Sequence, residues 1–110
     1  MFIEIGRLTQ DVEVKTINID GVEKRVMNNR FAVRVNSDNA AFIDITAWNG
    51  TADFIGLHFM KGDELFIEGE LRSRAVKRDD GREFSHPFVL ITKVKFTHGN
   101  RREVDGGDEV

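Results

Sequence analysis

Apolar side chains in this chain recur at every second residue, and that period narrows most sharply what it can fold into. In Phe31-Ala32-Val33-Arg34-Val35 the large apolar residues alternate with Ala and Arg, and in Leu65-Phe66-Ile67-Glu68-Gly69-Glu70-Leu71 the residues Leu65, Ile67 and Leu71 share one face. Successive side chains of a strand point to opposite sides, so both runs read as strands with one buried face. Asp20-Gly21 and Asp80-Gly81 are dipeptides in which both central residues tolerate positive φ, which favours a tight hairpin at each. Two hairpins are expected, one from about Val12 to Val35 and one from about Glu64 to Phe96. Pro87 falls in the last strand, where it cannot donate to a ladder, so that strand is expected to be an edge or to break there.

One stretch departs from the two-residue period. Between Thr51 and Met60, the residues Ala52, Ile55 and Phe59 fall on one helical stripe. Thr51 is placed to cap the N-terminus, Asp53 to meet the positive end of the dipole, and Gly62 to end the segment. The order is then three strands, a short helix and two more strands, with Gly6 and Gly69 inside strands, where a small barrel needs bends or bulges. The predicted fold class is all-β: a five-stranded OB-fold barrel with one short helix between strands 3 and 4. The chain has room for one core, and its nine Phe residues are spread from Phe2 to Phe96. One domain is therefore expected over residues 1–99, followed by a short acidic, disordered tail at 100–110.

The net charge of −3 argues at first against a polyanionic partner, but it is unevenly placed. Glu103, Asp105, Asp108 and Glu109 all lie in the last eight residues, and without them 15 acidic residues face 16 basic ones. What matters for a polyanion is where the positive charge sits. The chain has no cysteine, which excludes disulfides and thiolate metal sites and fits a reducing compartment, so a cytoplasmic protein is expected. Glu4 and Arg7 interrupt the opening apolar run, and no run approaches the ~20 residues of a membrane helix, so no membrane partner is expected.

The functional signal lies in Phe42-Ile43-Asp44-Ile45-Thr46-Ala47-Trp48. With Ile43, Ile45 and Ala47 pointing inward, Phe42, Asp44, Thr46 and Trp48 share the outer face. Large aromatics on an outer face suit stacking on bases, an interaction that tolerates any sequence because every base has a π-face. A partner subunit or a loop covering that face fits the same pattern. Phe66 faces outward on its own strand by the same alternation. Arg72, Arg74, Lys77, Arg78 and Arg82 cluster around Asp79-Asp80-Gly81 and form a basic rim suited to phosphates, although a charged hairpin tip also serves simply to be solvated. Arg30 and Arg34 face away from Phe31, Val33 and Val35 and so flank the aromatic face.

Several pieces of the chain together resemble the bacterial and phage single-stranded DNA-binding proteins, over roughly residues 2 to 97. They are Ile5-Gly6-Arg7-Leu8, Asp11-Val12-Glu13-Val14, and above all the block from Lys61-Gly62-Asp63 to Arg72-Ser73-Arg74, followed by Asp80-Gly81-Arg82. The resemblance implies single-stranded DNA as partner, with Phe42 and Trp48 at base-stacking positions, Phe66 where the family usually carries Tyr, and Arg72 and Arg74 on a basic strand. It also implies a homo-oligomer, dimer or tetramer, and the apolar residues on both faces of Phe2-Ile3-Glu4-Ile5 agree with a strand that pairs subunits. Val76 stands where the family commonly has a further stacking Trp, and the loop from Asn36 to Ala41 is short and lacks an aromatic, which implies weaker binding or a smaller footprint. In the family a long linker and an acidic, apolar-ended tail recruit replication proteins; the stretch Arg101 to Val110 is short, acidic and without an aromatic finish.

No enzymatic constellation accompanies these features. His58, His86 and His98 lack metal-ligand spacing, and no glycine-rich phosphate loop, nucleophile elbow or zinc-deaminase pattern is present, so neither metal nor cofactor is expected. Two non-enzymatic readings remain in competition: a sequence-tolerant coat for single-stranded DNA in replication, recombination or repair, and an OB-fold adaptor whose aromatic face or edge strand binds protein in a replication or primosome assembly.

Overall fold

Alternating apolar residues and the two hairpin turns produce six strands and one helix in a computed structural model that describes residues 1–97. In chain order these are β1 (Phe2–Leu8), β2 (Val14–Ile19), β3 (Val22–Arg34), β4 (Ala40–Trp48), α1 (Asn49–His58), β5 (Glu64–Lys77) and β6 (Glu83–Phe96). The strands lie in the order β1-β5-β6-β4-β3-β2, and β1 also pairs with β3. Five strands therefore close into a ring, and β2 extends it as the outer member of a hairpin. All pairings are antiparallel except β4 with β6. The helix falls between the third and fourth ring strands in chain order, which is the arrangement of an OB-fold. The boundary expected at residue 99, the tail expected at 100–110 and His98 lie outside the described residues.

The inward side chains build one core. Leu8, Met27, Phe31, Ile45, Leu65, Ile67 and Val89 are fully buried, and α1 adds Ala52 and Ile55. Phe59, just past the helix, is also buried, so the predicted stripe of Ala52, Ile55 and Phe59 faces inward. The helix itself begins two residues before Thr51, after an extended Trp48, and no side chain caps it. Asp53 does not serve the dipole either. It takes Arg25 of β3 in a bidentate pair, with Nε 2.8 and 2.9 Å from its two oxygens, which lowers its carboxyl pKa through hydrogen bonding and charge. The helix ends at His58 with Phe59 as its C-cap, and Gly62 sits in the turn that follows.

The two turns differ. At Asp20-Gly21 both residues take positive φ, 52° and 81°, and Ile19 pairs with Val22, as a two-residue hairpin requires. At the second hairpin only Gly81 does so, and Lys77 pairs with Glu83 across a five-residue loop closed by Arg78 N–H to Arg82 C=O at 2.7 Å. Beyond the ring, β5 and β6 continue as a two-stranded arm. Leu71 keeps the parity of Leu65 and Ile67 but is 63% exposed, because at that point the arm has left the core. Pro87 lies just outside the Phe88–Leu90 stretch where β6 pairs with β4, so it withholds no ladder bond from that neighbour.

Close approach, rather than turn geometry, explains the two strand glycines. A Cβ on Gly69 would meet Leu90 O, where the β5–β6 register slips between Glu68 and Gly69, and one on Gly6 would meet Ala32 O and the Phe31 ring. Buried Asn29 ties the segment after β1 to β3: its Nδ2 donates to Gln10 O at 3.1 Å, and its Oδ1 accepts from Gln10 N and Arg30 N. Among the described residues no helix is long and apolar enough to cross a membrane, and no cluster of His, Asp or Glu is arranged to hold a metal ion.

Candidate nucleic-acid interface

On β4, inward Ile45 and Ala47 set Phe42, Asp44, Thr46 and Trp48 on the outer face. Cross-strand register then assembles that face. Phe42 stands opposite Ala32, Asp44 opposite Arg30 and Thr46 opposite Asn28 on β3, while Asp44 lies beside Phe88 on β6, which pairs in turn with Arg72 of β5. The face is not uniformly open. Thr46 is only 4% exposed: its hydroxyl donates to Asn28 Oδ1 at 2.7 Å and accepts from Arg74 Nη2 at 3.3 Å. It forms the floor of a cleft between the β2–β3 hairpin and the β5–β6 arm, lined by Ile17, Val26, Trp48, Arg74 and Phe88.

Cations and rings interleave along this outer face. The Arg74 guanidinium lies 4.2 Å from the centroid of Phe88, and that of Arg30 lies 5.7 Å from the centroid of Phe42, within the range of attraction to a ring face. Asp44 sits between them, accepting from Arg30 Nη1 at 2.9 Å on one oxygen and meeting His86 Nε2 at 2.6 Å on the other. The hydrogen bond to His86, and after it those from Arg30, hold the Asp44 carboxyl below the usual carboxylate range against the opposing effect of partial burial. The part of this stabilisation that comes from the Asp44 carboxylate is therefore lost as pH falls through its depressed pKa.

The residues singled out from the sequence are gathered unevenly. Trp48 and Arg74 line the cleft, and Arg30 and Phe42 lie on the same outer face farther along β3 and β4. Arg34 lies on the same side of β3 as Arg30 and donates to Ser37 O at 3.3 Å. Arg72 shares the face but is engaged by Glu70, whose carboxyl it holds below its ordinary pKa. Phe66 also points outward, but beside Ile5 and under Lys95, roughly 20 Å of strand away from Arg72 at ~3.3 Å per residue. Lys77 projects from the opposite side of the arm, and Arg78 lies at its tip over the Phe84 ring at 4.7 Å. Sequence reasoning missed Phe88, His86 and Asn28. With Val89 and Ile91 inward, the alternation on β6 was the signal that turns Phe88 outward.

A family model described as the single-strand binding protein family matches residues 1–97. The chain belongs to that family. It is 31% identical over 101 residues to a single-stranded DNA-binding protein of Fusobacterium nucleatum, a match covering 83% of this chain and 62% of that protein. It is 28% identical over 104 residues to single-stranded DNA-binding protein 1 of Clostridium acetobutylicum, covering 91% and 94%, and 24% identical over 102 residues to single-stranded DNA-binding protein B of Bacillus subtilis, covering 90% of each. The chain thus spans under two thirds of the Fusobacterium protein and nearly all of the other two.

Proposed function

We propose that this protein coats single-stranded DNA with little sequence preference during replication, recombination or repair. The cleft carries the reading: Phe42, Trp48 and Phe88 lie along one outer sheet face with the guanidiniums of Arg30 and Arg74 among them. Rings stack on any unpaired base, whereas bases in a duplex are already stacked, so such a face favours single strands. Arginines between the rings offer charge to phosphates without reading sequence. Arg34 and Arg72 flank this track, and Phe66, Lys77 and Arg78 extend the set of nucleic-acid contacts beyond it. The names of the relatives agree with this partner.

A titration with oligo(dT) at moderate salt tests the reading, because Trp48 is the only tryptophan and lines the cleft. Its fluorescence should change on adding oligo(dT) and change little with duplex DNA. No binding of oligo(dT) would leave the protein-adaptor reading standing instead. Arg74→Ala should weaken binding to all sequences alike and lower the slope of log affinity against log salt by about one.

Assembly follows from β1. Ile3 and Ile5 are both half exposed on its outer face, and β1 pairs with β3 only at Arg7 and Leu8, which leaves the edge from Phe2 to Gly6 open on that side. An apolar strand with an open edge is a pairing surface for a second copy, which supports a homo-oligomer, dimer or tetramer. Light scattering at micromolar concentration should return a multiple of the chain mass, and a monomer would refute it.

A further inference from the structure

Beside the cleft, and sharing only Asn28 and Arg74 with it, lies a smaller pocket of about 250 Å³ that no phenylalanine or tryptophan lines. Its polar walls are Gln10 from the segment after β1, Asn28 and Arg30 of β3, Asp44 of β4, Arg74 of β5 and His86 of β6. Pockets for drug-sized ligands run to roughly 300–1,000 Å³, so this one suits the edge of a single base rather than a whole nucleotide.

Asp44 is out of keeping with a face that attracts a polyanion. A carboxylate repels phosphate, so what lies against it must be a hydrogen-bond donor. Its oxygens are held in place but not used up: one accepts from Arg30 Nη1 and the other meets His86 Nε2, out of about four acceptor sites that a carboxylate offers. Asn28 supplies the opposite function. Its Oδ1 takes the Thr46 hydroxyl, and among the described residues nothing engages its Nδ2 or the side-chain amide of Gln10, whose bonds to Asn29 run through its backbone. Acceptor and donor thus stand in one pocket. Cytosine and adenine each carry an amino donor next to a ring nitrogen that accepts, whereas thymine and uracil carry a carbonyl next to an N–H and present the reverse pattern.

Resting on the proposed single-strand reading, we infer that this pocket reads one base of the bound strand and favours cytosine or adenine over thymine. The amino group of the base donates to Asp44, and the adjacent ring nitrogen accepts from Asn28 Nδ2. Arg30 and His86, one on each carboxylate oxygen, fix the acceptor before the base arrives. Stacking elsewhere holds the strand without reading it, so the protein is a sequence-tolerant coat with one selective position in its footprint.

Cytosine and uracil differ only on that edge, so wild type and Asp44→Asn are compared at neutral pH in titrations with oligo(dC) and oligo(dU) of about 8 nucleotides, within the footprint of one such fold. Wild type should bind oligo(dC) roughly fivefold to a hundredfold more tightly than oligo(dU), the discrimination of one well-placed base contact. Asp44→Asn, whose amide donates to the uracil carbonyl as readily as it accepts from the cytosine amino group, should bring the two affinities together. A carboxylate that only repelled phosphate or held Arg30 in place would move both affinities by the same factor, and an unchanged ratio in the variant would overturn the inference. Equal affinities of wild type for the two oligonucleotides would overturn it whether or not the variant folds. Failure of wild type to bind either one would instead overturn the single-strand reading on which the pocket's role rests.

Discussion

Phe42→Ala and Trp48→Ala are each expected to weaken binding of oligo(dT) by roughly fivefold to a hundredfold or more, the consequence of removing a stacking surface worth about 1–3 kcal/mol per base. Phe42 is 53% exposed, with the Arg30 guanidinium 5.7 Å from its ring centroid, so its removal should leave no closed cavity. Its stability should fall far less than that of Ile45→Ala, which empties a fully buried site and should cost about 2–5 kcal/mol. Trp48 is partly buried against the cleft and immediately precedes α1, so Trp48→Ala carries some structural cost. Trp48→Phe separates the two effects: it keeps an aromatic face and should retain most of the affinity lost in Trp48→Ala. Equilibrium titrations and thermal unfolding of the same variants check both halves. Full DNA affinity together with easy unfolding in the Phe42 and Trp48 variants would make these aromatics structural and remove the stacking platform.

Gly6→Ala should be among the most damaging small substitutions in the protein. Its new methyl group would collide with Ala32 O and come within 2.7 Å of the ring of Phe31, which is fully buried and has nowhere to go. The collision falls immediately before Arg7 and Leu8, the two residues through which β1 pairs with β3 and closes the ring. Overpacking of this kind costs about 1–3 kcal/mol, which for a domain of this size is a fall of roughly 5–20 °C in Tm. Gly50→Ala provides the contrast. Gly50 lies in α1 with open space around its Cα, so alanine there should leave stability unchanged or raise it by up to about 1 kcal/mol. Circular dichroism melts would check both, and equal melting temperatures for Gly6→Ala and wild type would contradict the close approach.

The strands were legible because burial on one face writes itself into a two-residue period, and Asp20-Gly21 because positive φ at two successive residues demands such a pair. The helix stripe was legible for the same reason at a different period. Its start was not: a side-chain oxygen at Thr51 suggested a cap, but the chain turns into the helix two residues earlier, from an extended Trp48 through Asn49 at a φ of 49°. Asp80-Gly81 shows the limit of reading a turn from a dipeptide, since the loop around it is five residues long and only the glycine takes positive φ. Thr46 was placed on the correct side of β4 but turned out to be covered, because its exposure depends on Asn28 and Arg74 from other strands. The partnership of Asp44 with His86 joins residues 42 positions apart and follows from the parallel pairing of β4 with β6, which no local pattern announces.

The way the ring closes also bears on how the chain comes to be folded. The β2–β3 hairpin and the β5–β6 arm are each formed between neighbours in sequence, so both can assemble early and independently. The first strand cannot. Phe2 pairs with Gly69 and Gly6 with Leu65, so most of β1 has no ladder to join until β5 exists. On a ribosome, β1 must therefore wait until β2, β3, β4 and α1 have been made and β5 follows before most of it finds its place. The apolar side chains of Ile3 and Ile5 are carried on a strand with no partner throughout that interval. Because such distant pairing must bear the entropy of closing a long loop before it gains any contact, closure of the ring is expected to be the slow step of folding, on roughly the millisecond-to-second scale of non-local β proteins.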